Sequence, residues 1–151
     1  MIIETVRFGE LEIDPETILE MPEGLVGIDK AKRFCLLQES SDSAFKWLQM
    51  VDEPGLAFVV INPYDFFPDY ELEVCESDAE LLGMEAPEDA FVLALLTLGP
   101  EGREITANLV APVVIGTKTR RAKQVILEDE RYTTKHPLVG DALQATDSAA
   151  G

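Results

Sequence analysis

Side chains that could do chemistry are scarce in this chain. There is one histidine, His136, and there are two cysteines, Cys35 and Cys75. A thiol nucleophile needs a base within hydrogen-bond reach. A Cys35–His136 or Cys75–His136 pair is the arrangement of this kind that the composition permits. No recognisable signature surrounds either cysteine, and a lone histidine before Pro137 is a weak general base. A structural zinc site takes about four Cys or His ligands, and only three such residues exist. Asp65 and Asp69 lack the acidic and glycine spacing of a calcium loop. No phosphate-cradling or dinucleotide-binding glycine motif occurs. The sequence therefore predicts no catalytic residue, no metal and no cofactor, and it leaves recognition as the chemistry to look for.

Two stretches could recognise a partner. The first is residues 64–70, YDFFPDY, which holds four of the eleven aromatic residues: Tyr64, Phe66, Phe67 and Tyr70. One of Phe66 and Phe67 is expected to plug the end of the fold, and the other to stand out as an interface anchor rimmed by carboxylates. The second is residues 108–123, NLVAPVVIGTKTRRAK, where Lys118, Arg120, Arg121 and Lys123 gather. It reads either as an edge strand protected by charge or as a basic patch for an acidic partner.

Charge limits the partners further. The chain carries 29 acidic and 12 basic residues, a net charge of −17. Between Lys46 and Arg103 lie 13 carboxylates and no Lys or Arg. Such a surface repels phosphate backbones and attracts basic proteins, so direct nucleic-acid binding is not expected. No apolar run approaches a membrane span. No basic segment followed by a hydrophobic signal core opens the chain. The expectation is a cytoplasmic protein with no membrane partner. Two cysteines in that setting are more often buried thiols than a disulfide.

The elements that must position these residues read mainly as β-strands. Residues 56–61, LAFVVI, are a short apolar run rich in β-branched side chains, which suits a strand buried on both faces. It should pair antiparallel with residues 45–51 across a type II turn at Glu53-Pro54-Gly55-Leu56. Pro63 and Pro68 break the ladder into an aromatic corner, and residues 70–74 resume as a strand. Residues 2–8 and 11–13 read as strands joined at Gly9-Glu10, and residues 34–37 as another. Residues 26–33 are ambiguous. Residues 39–43 read as a polar loop. Ser77-Asp78-Ala79-Glu80 reads as a capping box for a two-turn helix that Gly83 ends. Residues 90–98 could be a buried helix or a strand; a turn at residues 99–102 and the β-rich residues 105–110 favour a hairpin. Residues 113–115 and 125–127 add strands. The result is a mainly β fold, a small antiparallel β-barrel-like domain with one or two short helices. Residues 1–138 form that domain, and residues 139–151 a flexible C-terminal tail.

Several motifs taken together resemble the flagellar assembly factor FliW family. They are MIIETVRFGELEID at the start, Met21-Pro22-Glu23-Gly24, WLQMVDEPGLAFVVINPYDFFPDYE, NLVAPVVIGTKTRRAKQVILED, and Tyr132 with His136-Pro137-Leu138. The match runs from residue 1 to about 138. Gly116 stands where an asparagine is usual and Ala122 where a glycine is common; the latter argues against a required positive φ there.

The resemblance implies a non-enzymatic protein that binds the translational regulator CsrA, antagonises its RNA binding, and binds flagellin. Partner exchange would then couple flagellin synthesis to export. On that basis the expected contacts are Phe66, Phe67, Asp69 and Tyr70, with Asp52 and Pro54 near by. Asn108, Pro112 and Lys118 form a second group. The lysine-free stretch 47–102 is the expected antagonist face. Two other classes remain: a flagellin chaperone with no regulatory target, and a small enzyme using Cys75 or His136.

Overall fold

Two apolar runs set the architecture, and the computed structural model, which describes residues 1–38, 43–98 and 105–138, shows why both are so apolar. They form strands β6 (Ala57–Ile61) and β7 (Ala90–Leu98). β6 pairs antiparallel with β5 (Lys46–Met50), with Trp47 opposite Val59 and Leu48 opposite Phe58. β7 pairs with β6 at Ala94 and Leu95. On its other edge β7 takes β9 (Val113–Gly116) along its first half and β8 (Ile105–Ala107) along its second. β4 (Arg33–Leu37) and the short β3 (Leu19–Glu20) extend the sheet one way, and β10 (Ala122–Gln124) extends it the other. The continuous path is β10-β9-β7-β6-β5-β4-β3, while β11 (His136–Pro137) pairs β8 outside it. The path's ends meet at one parallel bridge, Glu20 with Arg121, where Glu20 N–H donates to Arg120 C=O at 2.9 Å. The antiparallel sheet thus curls into a barrel-like form closed by a single bridge rather than a ladder.

Successive strand residues face opposite sides, and here both sides are buried. Val60, Leu93, Val113 and Ile115 join Phe34, Leu48 and Met50 in an inner core. Their chain neighbours Ile61, Ala94 and Val114 belong to an outer core with Tyr70, Leu82, Leu109 and Leu138. Double-sided burial is what an unbroken apolar run encodes. The hairpin of β1 (Ile2–Thr5) and β2 (Gly9–Glu12) covers a third cluster around Ile3, Cys35 and Val51. The single tryptophan lies under that hairpin, with Phe8 edge-on at 6.1 Å and the Arg7 guanidinium 4.0 Å above its ring.

Several expectations need correction. The first turn is at residues 6–8, where the Thr5 hydroxyl accepts Phe8 N–H and donates to Gly9 C=O. Residues 26–33 hold Ile28, which bridges to Leu25, and the start of β4, with no helix. The Glu53–Leu56 turn closes with a 3.0 Å bond, yet Gly55 has no positive φ, so it is not type II. Residues 70–74 have no strand partner among the described residues. Helix α2 (Glu76–Leu82) is capped by Cys75, whose extended backbone places Ser77 inside the helix, and no capping box forms. Gly83 does end it, at φ +72°. β8 stops at Ala107, and the late strand is residues 122–124, with 125–127 continuing as an extended arm. The turn at 99–102, most of the loop at 39–43 and the tail 139–151 lie outside the described residues. No helix of the described residues is long and apolar enough to cross a membrane.

Candidate functional site

β6 runs out at Asn62 because Pro63 cannot donate to a ladder. Asn62 keeps an extended backbone, and its side chain accepts Tyr64 N–H at 3.0 Å. Proline is well placed as the first helical residue, so the corner opens with a single helical turn, α1 (Pro63–Phe66). Phe67 N–H then returns to Pro63 C=O, and Tyr70 N–H to Phe67 C=O. These bonds splay the aromatic side chains apart. Phe66 stacks on Phe45 at 6.4 Å, and Phe67 sits edge-on to His136 at 5.0 Å. Tyr70 turns inward, 4% exposed, and donates its hydroxyl to Leu109 C=O at 2.6 Å. Burial, with the Tyr64 and Tyr132 phenols beside it, pushes the Tyr70 hydroxyl above its ordinary value.

Beyond the corner, residues 71–75 alternate exposed Glu71, Glu73 and Cys75 with half-buried Leu72 and Val74. This is the period of a strand. The segment divides two grooves. One, of about 670 Å³, lies between it, α2 and β7, and is lined by Tyr64, Leu72, Val74, Met84 and Phe91. The other, of about 880 Å³, lies between it and the extended arm 125–131. Carboxylates dominate the second groove: among the described residues, Glu71, Glu73, Asp78, Glu128, Asp129 and Glu130 face a single lining cation, Arg131.

Cations from elsewhere in the chain reach part of the lysine-free stretch. Arg33 holds Asp52 through a 3.0 Å bond from Nε, and Lys30 lies 3.6 Å from Glu53. Lys118 lies 3.6 Å from Asp89. Lys123 reaches Asp78 at 2.6 Å and Glu23 at 3.2 Å. The Lys123 hydrogen bond holds the Asp78 carboxyl below its usual range. Arg131 lies 2.7 Å from Asp129 and 3.5 Å from Glu71; its hydrogen bond is the main cause of the low Asp129 pKa. Among the described residues Asp65, Asp69, Glu73, Glu76, Glu80, Glu85 and Glu88 of that stretch have no such partner, nor do Glu128 and Glu130 on the arm. The unpaired carboxylates therefore run from the corner through the 71–75 segment and α2 to the loop before β7, with the arm contributing Glu128 and Glu130.

The expected contact residues separate accordingly. Asp65 and Asp69 are exposed on the corner, and Phe66 and Phe67 are both half-buried. Neither phenylalanine is the fully exposed anchor that was expected. Tyr70 is an internal support. Asp52 and exposed Pro54 sit at the opposite end of the β5–β6 hairpin from the corner, so the sequence neighbourhood misleads there. Asn108 accepts Ala111 N–H at 3.0 Å and holds the turn into β9. Pro112 is buried. Lys118 is exposed beside Asp89. Of the late basic cluster, Arg121 donates to Leu81 C=O at the end of α2 and Lys123 binds Asp78. Sequence reasoning missed Phe91, an exposed aromatic on β7. Alternation places Phe91 on the face of Leu93 and Leu95, which pack in the inner core, so the pattern gave no signal that this ring would stand exposed.

No dyad forms among these residues. Cys35 is buried, and burial pushes its thiol up. Cys75 is exposed, with Sγ 3.3 Å from Ser77 Oγ. The described residues contain no group of three or more His, Cys, Asp or Glu placed to hold a metal ion.

Comparison with known proteins agrees with this geometry along the whole described chain. The FliW protein family model matches residues 2–138. The flagellar assembly factor FliW of Magnetococcus marinus is 42% identical over 96% of this chain and 89% of its own. That of Bacillus subtilis is 42% identical over 94% and 99%. A crystal structure of the flagellar assembly factor FliW superimposes with a TM-score of 0.85 at 36% identity, covering 93% of this chain and 99% of that one. The chain belongs to the FliW family of flagellar assembly factors.

Proposed function

We propose that the protein is a non-enzymatic cytoplasmic antagonist of a CsrA-type translational regulator that also binds flagellin, so that partner exchange couples flagellin synthesis to export. The observation that carries this reading is the run of carboxylates without cation partners among the described residues, from the aromatic corner through the 71–75 segment and α2, with Glu128 and Glu130 on the arm. An RNA-binding regulator presents basic surface. An acidic domain docked on or beside it raises the cost of bringing phosphates near. At physiological salt the Debye length is about 8 Å, so the domain can act without covering the RNA site. Flagellin, by occupying the factor, would leave the regulator free to repress.

The test mixes purified protein, CsrA, flagellin and labelled flagellin leader RNA. The combined variant Asp65→Asn, Asp69→Asn, Glu73→Gln should displace RNA less well than the parent, with a melting temperature no lower than the parent's. Equal displacement by the variant at both low and high salt would refute the electrostatic mechanism. Flagellin binding without any effect on the CsrA–RNA complex would instead mark a chaperone with no regulatory target.

A further inference from the structure

We infer that residues 71–75 are an acceptor for strand addition, and that the groove beside them takes an extended basic segment of a partner protein. The sequence YELEVC has the alternation of a strand, and its side chains are disposed as a strand's. Glu71 N–H is taken by the Tyr132 hydroxyl at 2.8 Å, and Cys75 C=O by Ala79 N–H. Between these anchors the backbone groups of Leu72, Glu73 and Val74 meet no hydrogen-bond partner among the described residues. Open strand backbone is a template for pairing with another chain.

The facing wall is complementary. On the arm, Val125 N–H donates to Pro112 C=O and Leu127 N–H to Val110 C=O. Extended backbone alternates the direction of its polar groups, so those of Ile126 and Glu128 point the other way, into the groove. Ile126 is 65% exposed there. The groove has two ends: the Glu71–Arg131 contact at 3.5 Å and the Asp78–Lys123 contact at 2.6 Å. The open backbone between them admits three to four extended residues, about 13 Å of chain.

Charge selects the occupant. Glu73, Glu128 and Glu130 line the groove, and Arg131, the one lining cation among the described residues, is bonded to Asp129. An incoming strand with Lys or Arg at alternate positions meets these carboxylates, and its small apolar residues meet Leu72 and Val74. The sign of the partner's charge rests on the function proposed above; the pairing mode rests on the backbone.

The probe is acetyl-Lys-Val-Lys-Val-Lys-amide, with an analogue methylated at both valine nitrogens. Methylation keeps every charge and removes two donors. The unmodified peptide should slow amide exchange at residues 72–74, and the methylated one should bind about tenfold more weakly. Equal binding of both peptides overturns the inference, because charge alone then suffices. Exchange protection at 72–74 in the free protein that disappears on deleting residues 139–151, or on dilution, also overturns it. The groove would then belong to the chain's own end or to a second copy. Intact CsrA is titrated in parallel. CsrA binding without peptide pairing sinks strand addition alone, whereas peptide pairing without CsrA binding sinks the proposed partner and sustains strand addition.

Discussion

Gly116 is the position where one added carbon should have the largest consequence. It lies in β9 directly beneath the end of α2, with a negative φ, so the glycine is needed for space and not for conformation. A Cβ there would overlap the Leu82 carbonyl oxygen and stand 3.0 Å from Leu82 C and Thr119 Oγ1. Carbon-to-oxygen contacts settle near 3.3 Å or more, so the end of α2 must retreat by on the order of 1 Å. That movement breaks the 2.7 Å bond from the Thr119 hydroxyl to Leu82 C=O and the longer one from Arg121 to Leu81 C=O. Overpacking costs about 1–3 kcal/mol, and a lost hydrogen bond adds roughly 1 kcal/mol. Gly116→Ala should therefore destabilise the fold by about 2–4 kcal/mol, a fall in Tm of roughly 5–15 °C for a domain of this size. Gly116→Asn, which installs the residue that the family resemblance leads one to expect, should do at least as much. Calorimetry gives the Tm, and amide exchange at Gly83 and Met84 reports the loosened helix end. Thr119→Val removes only the hydroxyl bond and should cost roughly 1 kcal/mol. A Gly116→Ala protein melting within about 1 °C of the parent would refute the close approach of α2 to β9. The effect should also reach the groove, because α2 and the turn after it supply Ala79 and Met84 to its wall.

Three further outcomes follow from single interactions. Tyr70→Phe strands the buried Leu109 carbonyl, so urea unfolding should show a loss of about 1–3 kcal/mol with the corner's surface chemistry intact. Asp78 has a depressed folded-state pKa, so its stabilisation is complete above the unfolded value near 3.9 and is lost as pH falls through the lower folded value; Asp78→Asn should flatten that acid limb in urea midpoints taken between pH 5 and 2.5. Tyr64 and Phe91 are exposed on the apolar groove; alanine at both should weaken partner binding in titration calorimetry by about 1 kcal/mol or more while Tm moves little.

The scaffold was legible where local and global signals agree. Residues 56–61 read as a strand buried on both faces because β6 is flanked by β5 and β7 and sits between two cores. Gly83 read as a helix stop because only an αL residue satisfies the last carbonyls there. Residues 70–74 show the converse. Their alternation is real, but alternation reports side-chain facing and not whether a neighbour strand exists. The capping box failed because the helix starts two residues earlier, with Cys75 as its cap, so Ser77 lies inside the first turn. The acidic bias of residues 47–102 was visible in composition. Which carboxylates would be neutralised was not, because Arg33, Lys118, Lys123 and Arg131 arrive through the fold. The aromatic corner was found as a unit, yet its division into an internal support, two half-buried rings and one exposed ring depends on Leu109, Tyr132 and His136, which come from the far end of the chain.

The same carboxylates that would attract a basic partner must also repel one another in the free protein. Like charges that face one another across the groove repel within a Debye length, and among the described residues Arg131 and Lys123 are the cations that offset them. Added salt screens both interactions, but with opposite results. In the free protein it relieves repulsion, so raising ionic strength from 50 to 300 mM should raise Tm. In the complex it screens the attraction, so over the same range affinity should fall, through a slower association rate above all. Glu73→Gln with Glu128→Gln and Glu130→Gln should reduce both salt slopes together, since one charge cluster causes them. Parallel movement of Tm and affinity with salt, or slopes unaffected by the triple variant, would place the source of the acidic effect elsewhere on a surface whose net charge is −17. Opposed slopes that collapse together would tie the destabilised surface and the binding surface to the same few residues.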